Sequence, residues 1–425
     1  MKTEMTQSQL TLSLLGSSGG VAKAILALLN QTAQDKKDPI YSYIKNCTIH
    51  LIDIDQKPLS YYARFCNALQ NKLVLHEFDL SDSSLFRTHL QQTTPNIVID
   101  VSWADTVKML TDCNEFGTHY INTAIECPEV DDNEAIARFG LLERYRIFAQ
   151  HKDRFQNITS IIGSGMNPGV VQWMMLHLMQ QFPEEQPIAS YIVEHDTTFY
   201  KNAKLAQENT IYTTWSPECF LDEAILNYPL FMKQHIPVVL YQDVYQQEFK
   251  VTLGDIQFYG CLMPHEEAVS LGEWFDGEVG FLYRVNEHTT NAIRSNLKTV
   301  DDLWDWEHKV LLPDDAELTG ADLIGILLVY SNKERFIYNV INSDAMYTRF
   351  HTNATYFQVA CGIYGALSSL TLDSLPLGCY VVDDLLRKTS SRYGQYVSYY
   401  MKDFIIGEND KTDGLLLNRM KKIDM

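Results

Sequence analysis

The stretch Leu12-Ser-Leu-Leu-Gly-Ser-Ser-Gly-Gly-Val-Ala-Lys-Ala24 decides the fold of this chain. A mostly apolar run at 10–15 predicts a strand, and the apolar stretch 21–29 predicts a helix that follows the glycines at once. Glycine lets the backbone turn tightly, and the free N–H groups at a helix N-terminus attract phosphate. The order strand, glycine turn, helix therefore predicts the opening of a dinucleotide-binding unit.

The glycine spacing is a variant of the usual dinucleotide fingerprint. It is Gly16-x-x-Gly19-x-x-Ala22, with serine where the fingerprint has its middle glycine. A turn that merely joins a strand to a helix is the alternative interpretation. The pyrophosphate is expected to contact Gly16, Ser18, Gly19, Gly20 and Val21.

The second predicted strand, 47–54, carries Asp53 near its end. A carboxylate there can bind both ribose hydroxyls of an adenosine and repels a 2′-phosphate, so it favours NAD over NADP. Its distance from Gly16 exceeds the usual gap of about 20 residues. The polar stretch 31–45, an elongated loop or helix end, accounts for the excess. Asp55 is the competing ribose ligand.

Apolar strands alternate with helical patterns from residue 10 to about 162, which is typical of a parallel sheet. The third strand is expected to deliver Asp79 to the adenine, and 96–101 is the fourth. The strand 120–125 leaves Thr123 and Glu126 at its carboxyl end, where ligands bind in such sheets, and we expect Thr123 to contact the cofactor.

A second glycine-rich turn follows the strand predicted at 158–162. It contains Asn167-Pro168-Gly169 and opens a helix over 170–181. We expect Asn167 and Pro168 to contact the reactive end of the dinucleotide. Asn-Pro-Gly is also common in ordinary turns.

Length and charge restrict the possible functions. A chain of 425 residues is long enough for two domains. It has 54 acidic and 34 basic residues and a net charge of −20. This argues against nucleic acid as a partner and is compatible with a cationic ligand. A merely solubilising surface is the alternative.

The sequence predicts a cytoplasmic protein without a resident metal. No apolar run approaches the roughly 18 residues of a membrane span, and residues 1–9 lack the pattern of a signal peptide. The eight cysteines are scattered, with no C-x-x-C and no zinc spacing. They are expected to be reduced thiols.

Short segments in order along most of the chain carry a family resemblance. They are Tyr120 to Glu126, Met166 to Val171, Glu194-His-Asp-Thr197, Thr214-Trp-Ser-Pro-Glu-Cys-Phe220, His265-Glu-Glu-Ala268, Gly320 to Leu328 and Asn353 to Val359. With them the chain resembles the bacterial-type homospermidine synthases of the saccharopine dehydrogenase-like superfamily. The resemblance implies that bound NAD oxidises putrescine, ammonia leaves, a second amine adds, and the imine is reduced to homospermidine.

The resemblance, together with the strand pattern, predicts an α/β fold. A Rossmann-type parallel sheet would form the NAD-binding domain, 1–186 completed by 348–425. An inserted α+β domain, 187–347, would bind substrate and dimerise. A homodimer is an implication of the family alone.

Trp215 and three acids form the expected amine site. A tryptophan face attracts an ammonium by roughly 0.5–2 kcal/mol, whereas the alternative is a core tryptophan. The resemblance places Glu126, Glu194 and Glu223 around the amines, where a carboxylate neutralises a diamine end or takes up its proton. A solvated strand end or helix face is the alternative for each.

Three further residues complete the expected catalytic set. Asn167 resembles the family's asparagine near the nicotinamide. His265 can exchange a proton near neutral pH, which suits amine and imine steps, although a structural histidine is the alternative. Asp322, placed at an apolar helix start, is either an N-terminal cap or a site carboxylate.

The chain departs from the family at Thr213, where asparagine is usual, and at Leu323, where an acid is usual. One alternative is a related dehydrogenase of the saccharopine or carboxynorspermidine type. It would need Arg or Lys for the substrate carboxylate, and the matched segments contain no arginine. The other alternative is a catalytically degenerate NAD-binding scaffold protein.

Overall fold

A computed structural model describes residues 10–423, so the predicted absence of a signal peptide at 1–9 lies outside the described residues. The chain divides into two compact units. Unit 1 comprises the described residues up to 133 together with 144–170 and 356–401. Unit 2 comprises 134–143, 171–355 and the described residues from 402.

The strands of the described residues are, in chain order, β1 (Thr11–Leu15), β2 (Thr48–Asp53), β3 (Leu73–Glu77), β4 (Ile97–Asp100), β5 (His119–Asn122), β6 (Thr159–Ile162), β7 (Ala189–Asp196), β8 (Phe199–Tyr200), β9 (Thr210–Thr213), β10 (Leu230–Lys233), β11 (Ile236–Val239), β12 (Gln247–Leu253), β13 (Ile256–Met263), β14 (Glu278–Arg284), β15 (Glu307–Val310), β16 (Leu318–Thr319), β17 (Ala321–Val329), β18 (Glu334–Asn342), β19 (Gly378–Val381), β20 (Ile405–Asn409) and β21 (Met420–Lys422).

The α-helices of the same residues are α1 (Gly20–Thr32), α2 (Tyr41–Ile44), α3 (Leu59–Tyr62), α4 (Ser83–Thr93), α5 (Thr106–Phe116), α6 (Pro128–Asp131), α7 (Gly140–His151), α8 (Val170–Gln181), α9 (Pro217–Leu221), α10 (Glu266–Gly272), α11 (Glu287–Ser295), α12 (Ser343–Phe350), α13 (Ala354–Leu372), α14 (Val382–Lys388), α15 (Tyr393–Tyr400) and α16 (Leu416–Arg419). A π-helical turn, Asp222–Leu226, continues α9.

Unit 1 contains a seven-stranded parallel sheet in the order β19-β6-β5-β4-β1-β2-β3. Its central strands are apolar and buried on both faces, as β4 shows over its whole length. Helices cover parallel sheets on both sides, which explains continuous apolar runs in place of alternation. The predicted Rossmann-type sheet is confirmed.

Helix α5 is bounded by residues that suit the start and the end of a helix. The Asp105 side chain accepts a hydrogen bond from the Lys108 N–H as the N-cap, and Gly117 ends the helix in the left-handed conformation. A carboxylate at the N-cap and a glycine after the last turn both satisfy backbone groups that the helix leaves unpaired.

Unit 2 is built on a ten-stranded mixed sheet among the described residues. The order β20-β18-β17-β7-β14-β13-β12-β21 runs through it, and the hairpin of β10 and β11 joins at β14. β7 pairs parallel with β14 and antiparallel with β17. The second, mixed-sheet domain is therefore confirmed.

One face of this sheet forms part of a large apolar core. Tyr191, Val193, Leu282, Leu323 and Leu327 lie on one face and contribute to a large apolar core. Successive strand residues point to opposite faces, so the residues between them lie on the other face. Leu323 thus belongs to the apolar core, where an acid would be costly.

The apolar segment 320–328 is a strand, so the predicted helix start at Asp322 is wrong. It forms β17, which is buried along almost its whole length between β7 and β18. A short apolar run that is buried on both faces carries no periodicity that separates strand from helix. The N-cap alternative for Asp322 is thereby removed.

The structural limits of the units differ from the predicted domain limits in four places. Residues 134–143, 171–186 and 348–355 belong to unit 2, and so does the segment after residue 401. That segment contributes β20 and β21 to the sheet of unit 2.

Within residues 10–423 no helix is long and apolar enough to cross a membrane. All eight cysteines are free, and six of them are buried.

Candidate active site

Gly16 forms the tight turn that follows β1. Its φ is +73°, and a Cβ built there would lie 2.7 Å from the Val101 carbonyl oxygen. The Ser17 N–H donates to the Ile52 carbonyl, which fixes the turn against β2. Both the backbone conformation and the close approach to the chain after β4 require glycine at this position.

The N-terminus of α1 begins directly after this turn. Gly19 is its N-cap, in an extended conformation and without a side chain to satisfy the first N–H groups. Gly20 packs so closely on the Tyr356 ring that a Cβ would lie 2.3 Å from its Cε2. An uncapped helix N-terminus after a glycine turn suits a pyrophosphate.

Asp53 lies beside the turn, at the end of β2. Its carboxylate accepts hydrogen bonds from the Ser18 N–H (2.8 Å) and the Asp55 N–H (3.0 Å). Asp55 itself is exposed and pairs with Lys57. Asp79 is exposed after β3 and accepts from the Ser81 N–H.

The second glycine-rich turn is fixed to β5 through Asn122. Its side-chain oxygen accepts from the Gly163 N–H (2.9 Å) and its carbonyl from the Ser164 N–H (2.8 Å). The Asn167–Pro168 peptide is cis, and Gly169 has a φ of +127° that brings it against Gly165. The turn precedes α8, as the sequence predicts.

These two turns fit the adenine-dinucleotide cofactor that the sequence predicts. The first offers a close backbone approach and an uncapped helix N-terminus, and Asp53 stands at the adjacent strand end. Thr123 lies directly after β5, partly exposed, next to the residue that fixes the second turn. All of these features belong to unit 1.

Three acidic residues lie on the non-core face of the sheet in unit 2. Asp196 of β7 is directly opposite Asp322 of β17, and both are fully buried. Glu194, two residues before Asp196 on the same strand, is 2% exposed and lies in register with Tyr283 of β14. Alternation along β7 therefore groups the three carboxyls on one face.

An aromatic group adjoins these acids. The Trp215 indole N–H donates to the Tyr283 hydroxyl at 3.2 Å, and the Phe220 ring packs edge-on against both rings. Trp215 is partly exposed, so it is not a core tryptophan. The Thr213 hydroxyl donates to the Trp215 carbonyl, which gives Thr213 a structural role.

His265 lies between two carboxylates at the start of α10. Its Nδ1 pairs with Glu267, and its Nε2 lies 3.4 Å from Glu223 Oε1. Glu223 sits in the π-helical turn after α9 and is 8% exposed, so it is not a surface glutamate. The ring of His265 packs edge-on against Phe281, which stacks on Tyr283.

The surroundings of His265 keep it protonated. Burial by itself lowers the pKa of an imidazole, but Glu267 and Glu223 outweigh burial and raise the pKa of His265 to about 10. The prediction that His265 exchanges a proton near neutral pH is therefore not supported by its surroundings. In this structure His265 is therefore a cation that lies between the carboxylates of Glu223 and Glu267.

The acids around Tyr283 disfavour further negative charge. Burial first, and then the charge of Asp196, raises the pKa of Asp322 well above its usual range. Burial also raises the pKa of Asp196. Burial, together with Glu194, Asp196 and Asp322, raises the pKa of the Tyr283 hydroxyl. This surface is thus suited to a cation.

The structure groups the predicted catalytic residues in two units. Glu126 lies in the loop after β5 of unit 1, where its backbone pairs with Thr106, and Asn167 lies in the second turn of the same unit. The remaining five belong to unit 2 and form the group described above. They are Glu194, Trp215, Glu223, His265 and Asp322.

Sequence reasoning missed Asp196, Glu267 and Tyr283. Asp196 and Glu267 each stand two residues from a predicted site residue, a spacing that on a strand places two side chains on one face. That signal could have found Asp196. Tyr283 depends on strand pairing and carries no local signal. Within residues 10–423, no group of three or more His, Cys, Asp or Glu is arranged to hold a metal ion.

Comparison with solved structures identifies the fold. Homospermidine synthase from Legionella pneumophila, solved in complex with NAD, matches with a TM-score of 0.69 at 15% identity, over 96% of this chain and 92% of that one. The two proteins share a fold. Saccharopine dehydrogenase from Saccharomyces cerevisiae matches with a TM-score of 0.52 at 10% identity, over 94% of this chain and 99% of that one.

No protein-family model matches this chain, and no curated protein matches it significantly in sequence. The likeness to the solved structures, at these identities, establishes the Rossmann-type fold with its second mixed sheet. Activity has to be argued from the residues of this chain.

Proposed function

We propose that this protein is an NAD-dependent homospermidine synthase. It would join two putrescines, or putrescine and spermidine, with release of ammonia or diaminopropane. The observation that carries the proposal is the group of five buried carboxyls, Glu194, Asp196, Glu223, Glu267 and Asp322, beside Trp215 and Tyr283. Buried carboxylates with an aromatic face are the chemistry that recognises an alkyl diammonium ion.

The proposal assigns NAD to unit 1. Gly16, Gly19 and Gly20 would supply the turn and helix N-terminus for the pyrophosphate, and Asp53, whose carboxylate accepts from the Ser18 N–H, would bind the ribose. Asn167 and Pro168 would contact the reactive end. When bound, NAD supplies an acceptor for the hydride that leaves the amine, and its reduced form is the donor of the same hydride to the imine.

The residues of unit 2 would hold the amine and set its protonation. The indole of Trp215 would lie against the alkyl ammonium ion, while Glu194 and Asp322 neutralise its charge. Glu223 and Glu267 share the positive charge of His265. A buried surface of this kind also excludes water, which would otherwise hydrolyse an imine to an aldehyde.

The experiment is an incubation of the purified full-length protein with putrescine and a catalytic amount of NAD, followed by chromatography of the amines. Homospermidine and ammonia without net NADH are the expected products. Glu223→Gln should lower the yield. Glu273→Gln, a change in the same unit outside this group, is the matched control and should leave it unchanged.

Two other outcomes would overturn the proposal. Net NADH that requires a carboxylated amine would identify a dehydrogenase of the saccharopine or carboxynorspermidine type. Bound NAD with no product from any diamine would identify a non-catalytic NAD-binding protein.

A further inference from the structure

Asp196 and Asp322 face each other across the β7–β17 pair. In antiparallel strands, directly opposite side chains lie on one face with Cβ atoms about 4.5–5.5 Å apart. Both residues have no exposed surface. Two ionised carboxylates in such a place repel each other and lack solvent to weaken the repulsion.

Two threonines join these carboxyls in an unbroken chain of short contacts. Thr355 Oγ1 lies 2.6 Å from Asp322 Oδ2 and 2.8 Å from Thr214 Oγ1. Thr214 Oγ1 lies 2.6 Å from Asp196 Oδ2. All four side chains are buried in unit 2.

The number of hydrogens in the chain fixes its protonation. Three oxygen–oxygen contacts of hydrogen-bond length need three hydrogens, and a threonine hydroxyl supplies one. The two threonines therefore supply two hydrogens. The third has to come from a carboxyl group, so one of the two aspartates is protonated.

The environment of Asp196 favours its ionised form. Its Oδ1 accepts from the Thr198 N–H at 2.8 Å, and its Oδ2 accepts from the Thr214 hydroxyl. A carboxylate that accepts hydrogen bonds at both oxygens is stabilised as the anion. The proton therefore belongs to Asp322, which donates to Thr355, which donates to Thr214, which donates to Asp196.

We propose that Asp196 and Asp322 share one proton at neutral pH through the hydroxyls of Thr214 and Thr355. The resting proton is on Asp322. When a cation approaches Asp322, that carboxyl gives its proton to Thr355, Thr355 gives its own to Thr214, and Thr214 gives its own to Asp196. Asp322 becomes a carboxylate, Asp196 becomes the acid, and the net charge of the pair is unchanged.

Two other ionisable groups face this pair. Glu194 precedes Asp196 on the same face of β7, and Tyr283 lies on β14. The charges of Asp196 and Asp322 act on Tyr283 together with that of Glu194. Under this assignment Asp196, Thr214 and Thr355 are positioning residues, which act through the protonation of Asp322. Their role in turnover rests on the proposed function.

Infrared spectroscopy of the full-length protein with isotopically labelled aspartate tests the shared proton without reference to activity. Asp322→Asn should remove one carboxylic acid C=O band at neutral pH. Asp196→Asn should remove the same band, because an amide at either end supplies the third hydrogen. Asp100, another buried acid with a raised pKa, contributes to all spectra and cancels in the differences.

Two infrared results would overturn the proposal. One is that neither variant loses an acid band, which means that both carboxyls are ionised. The other is that the double variant loses twice as much intensity as either single variant, which means two independent protons. Circular dichroism shows whether each variant folds. If one single variant does not fold, the infrared difference spectrum of the other single variant tests the proposal.

Turnover of diamine supplies the second measurement. Thr355→Val breaks the chain and should lower kcat about threefold to tenfold with a shifted pH profile, whereas Thr355→Ser should restore both. Equal kcat and pH profiles for Thr355→Val and the unaltered protein would remove the chain from turnover. Absence of turnover in the unaltered protein would reject the proposed function and leave the infrared result intact.

Discussion

Trp215 combines partial exposure with a fixed orientation. Its indole N–H is held by Tyr283 and its carbonyl by Thr213, so the ring is positioned by bonds on both sides. A side chain that is fixed and only partly buried has its remaining surface available to a ligand. This combination separates Trp215 from a tryptophan that serves only the core.

Trp215→Ala is expected to lower kcat/KM for a diamine about 2- to 30-fold, the loss of one cation–π contact of roughly 0.5–2 kcal/mol. NAD binding, assigned to unit 1, should not change. Steady-state kinetics and NAD titration measure the two effects. Trp304→Ala, a change at a 40% exposed tryptophan, is the control. An unchanged kcat/KM for Trp215→Ala would exclude the ring from amine binding.

His265 is expected to remain protonated until the pH approaches 10, and NMR titration of labelled histidine measures this pKa directly. Glu267→Gln should lower the pKa, because it removes the largest of the opposing charges. Glu266→Gln, which removes the smallest, should lower it less. A pKa near 6.5 in the unaltered protein would contradict the structure.

The same shift predicts a pH dependence of stability. The folded-state pKa of His265 lies above the unfolded value of 6.5, so the folded state binds the proton more tightly. Its stabilising contribution is complete below pH 6.5 and is lost as the pH rises through about 10. A salt-bridged carboxylate has the opposite pH dependence, because its stabilising contribution is lost as the pH falls.

At the scale of the element, the turn between β1 and α1 depends on two properties of Gly16. Its positive φ disfavours a side chain, and the Val101 carbonyl leaves no room for one. Gly117 has nearly the same φ, +72°, but no heavy atom within 4 Å of a built Cβ. Comparison of Gly16 with Gly117 therefore separates the cost of backbone strain from the cost of a clash with the Val101 carbonyl.

Gly117→Ala is expected to cost about 1–2 kcal/mol, the backbone strain alone. Gly16→Ala should cost more and weaken NAD binding at least about tenfold, because the turn has to move away from the strand end. Urea unfolding and NAD titration measure the two effects. Equal losses of unfolding free energy for the two variants would show that the close approach of Val101 to Gly16 does not contribute to the cost of the substitution.

Periodicity identified some elements and missed others for a definite reason. Alternation of strand and helix patterns located β1, β2, β4 and β6 correctly, because each is a short apolar run bounded by turn residues. β17 lies in the middle of a sheet with both faces buried, so its run resembles a buried helix. The identity of such a segment depends on the strands beside it.

At the scale of the whole molecule, the C-terminal segment returns to the sheet of unit 2. Arg419 and Glu334 form a fully buried pair, in which Glu334 also accepts from Asn409, Thr412 and the Asp413 N–H. Polar residues of this segment are thus the partners of a buried carboxylate.

Arg419→Met is expected to destabilise the protein by about 3–5 kcal/mol, because it leaves Glu334 buried without its cation. Lys421→Met removes a 60% exposed partner of Glu248 and should cost no more than about 1 kcal/mol. Urea unfolding followed by tryptophan fluorescence measures both. Similar midpoints for the two variants would contradict a structural role for the C-terminal segment.

The sequence by itself determined the glycine turn after β1 and the parallel sheet, which follow from local rules of glycine conformation and apolar periodicity. The residues of the proposed amine site were expected only from the family resemblance. Only the tertiary structure decided that Asp322 stands on a strand opposite Asp196 and that Glu223 and Glu267 enclose His265. Strand register and burial bring together residues far apart in the chain, and burial sets their charges.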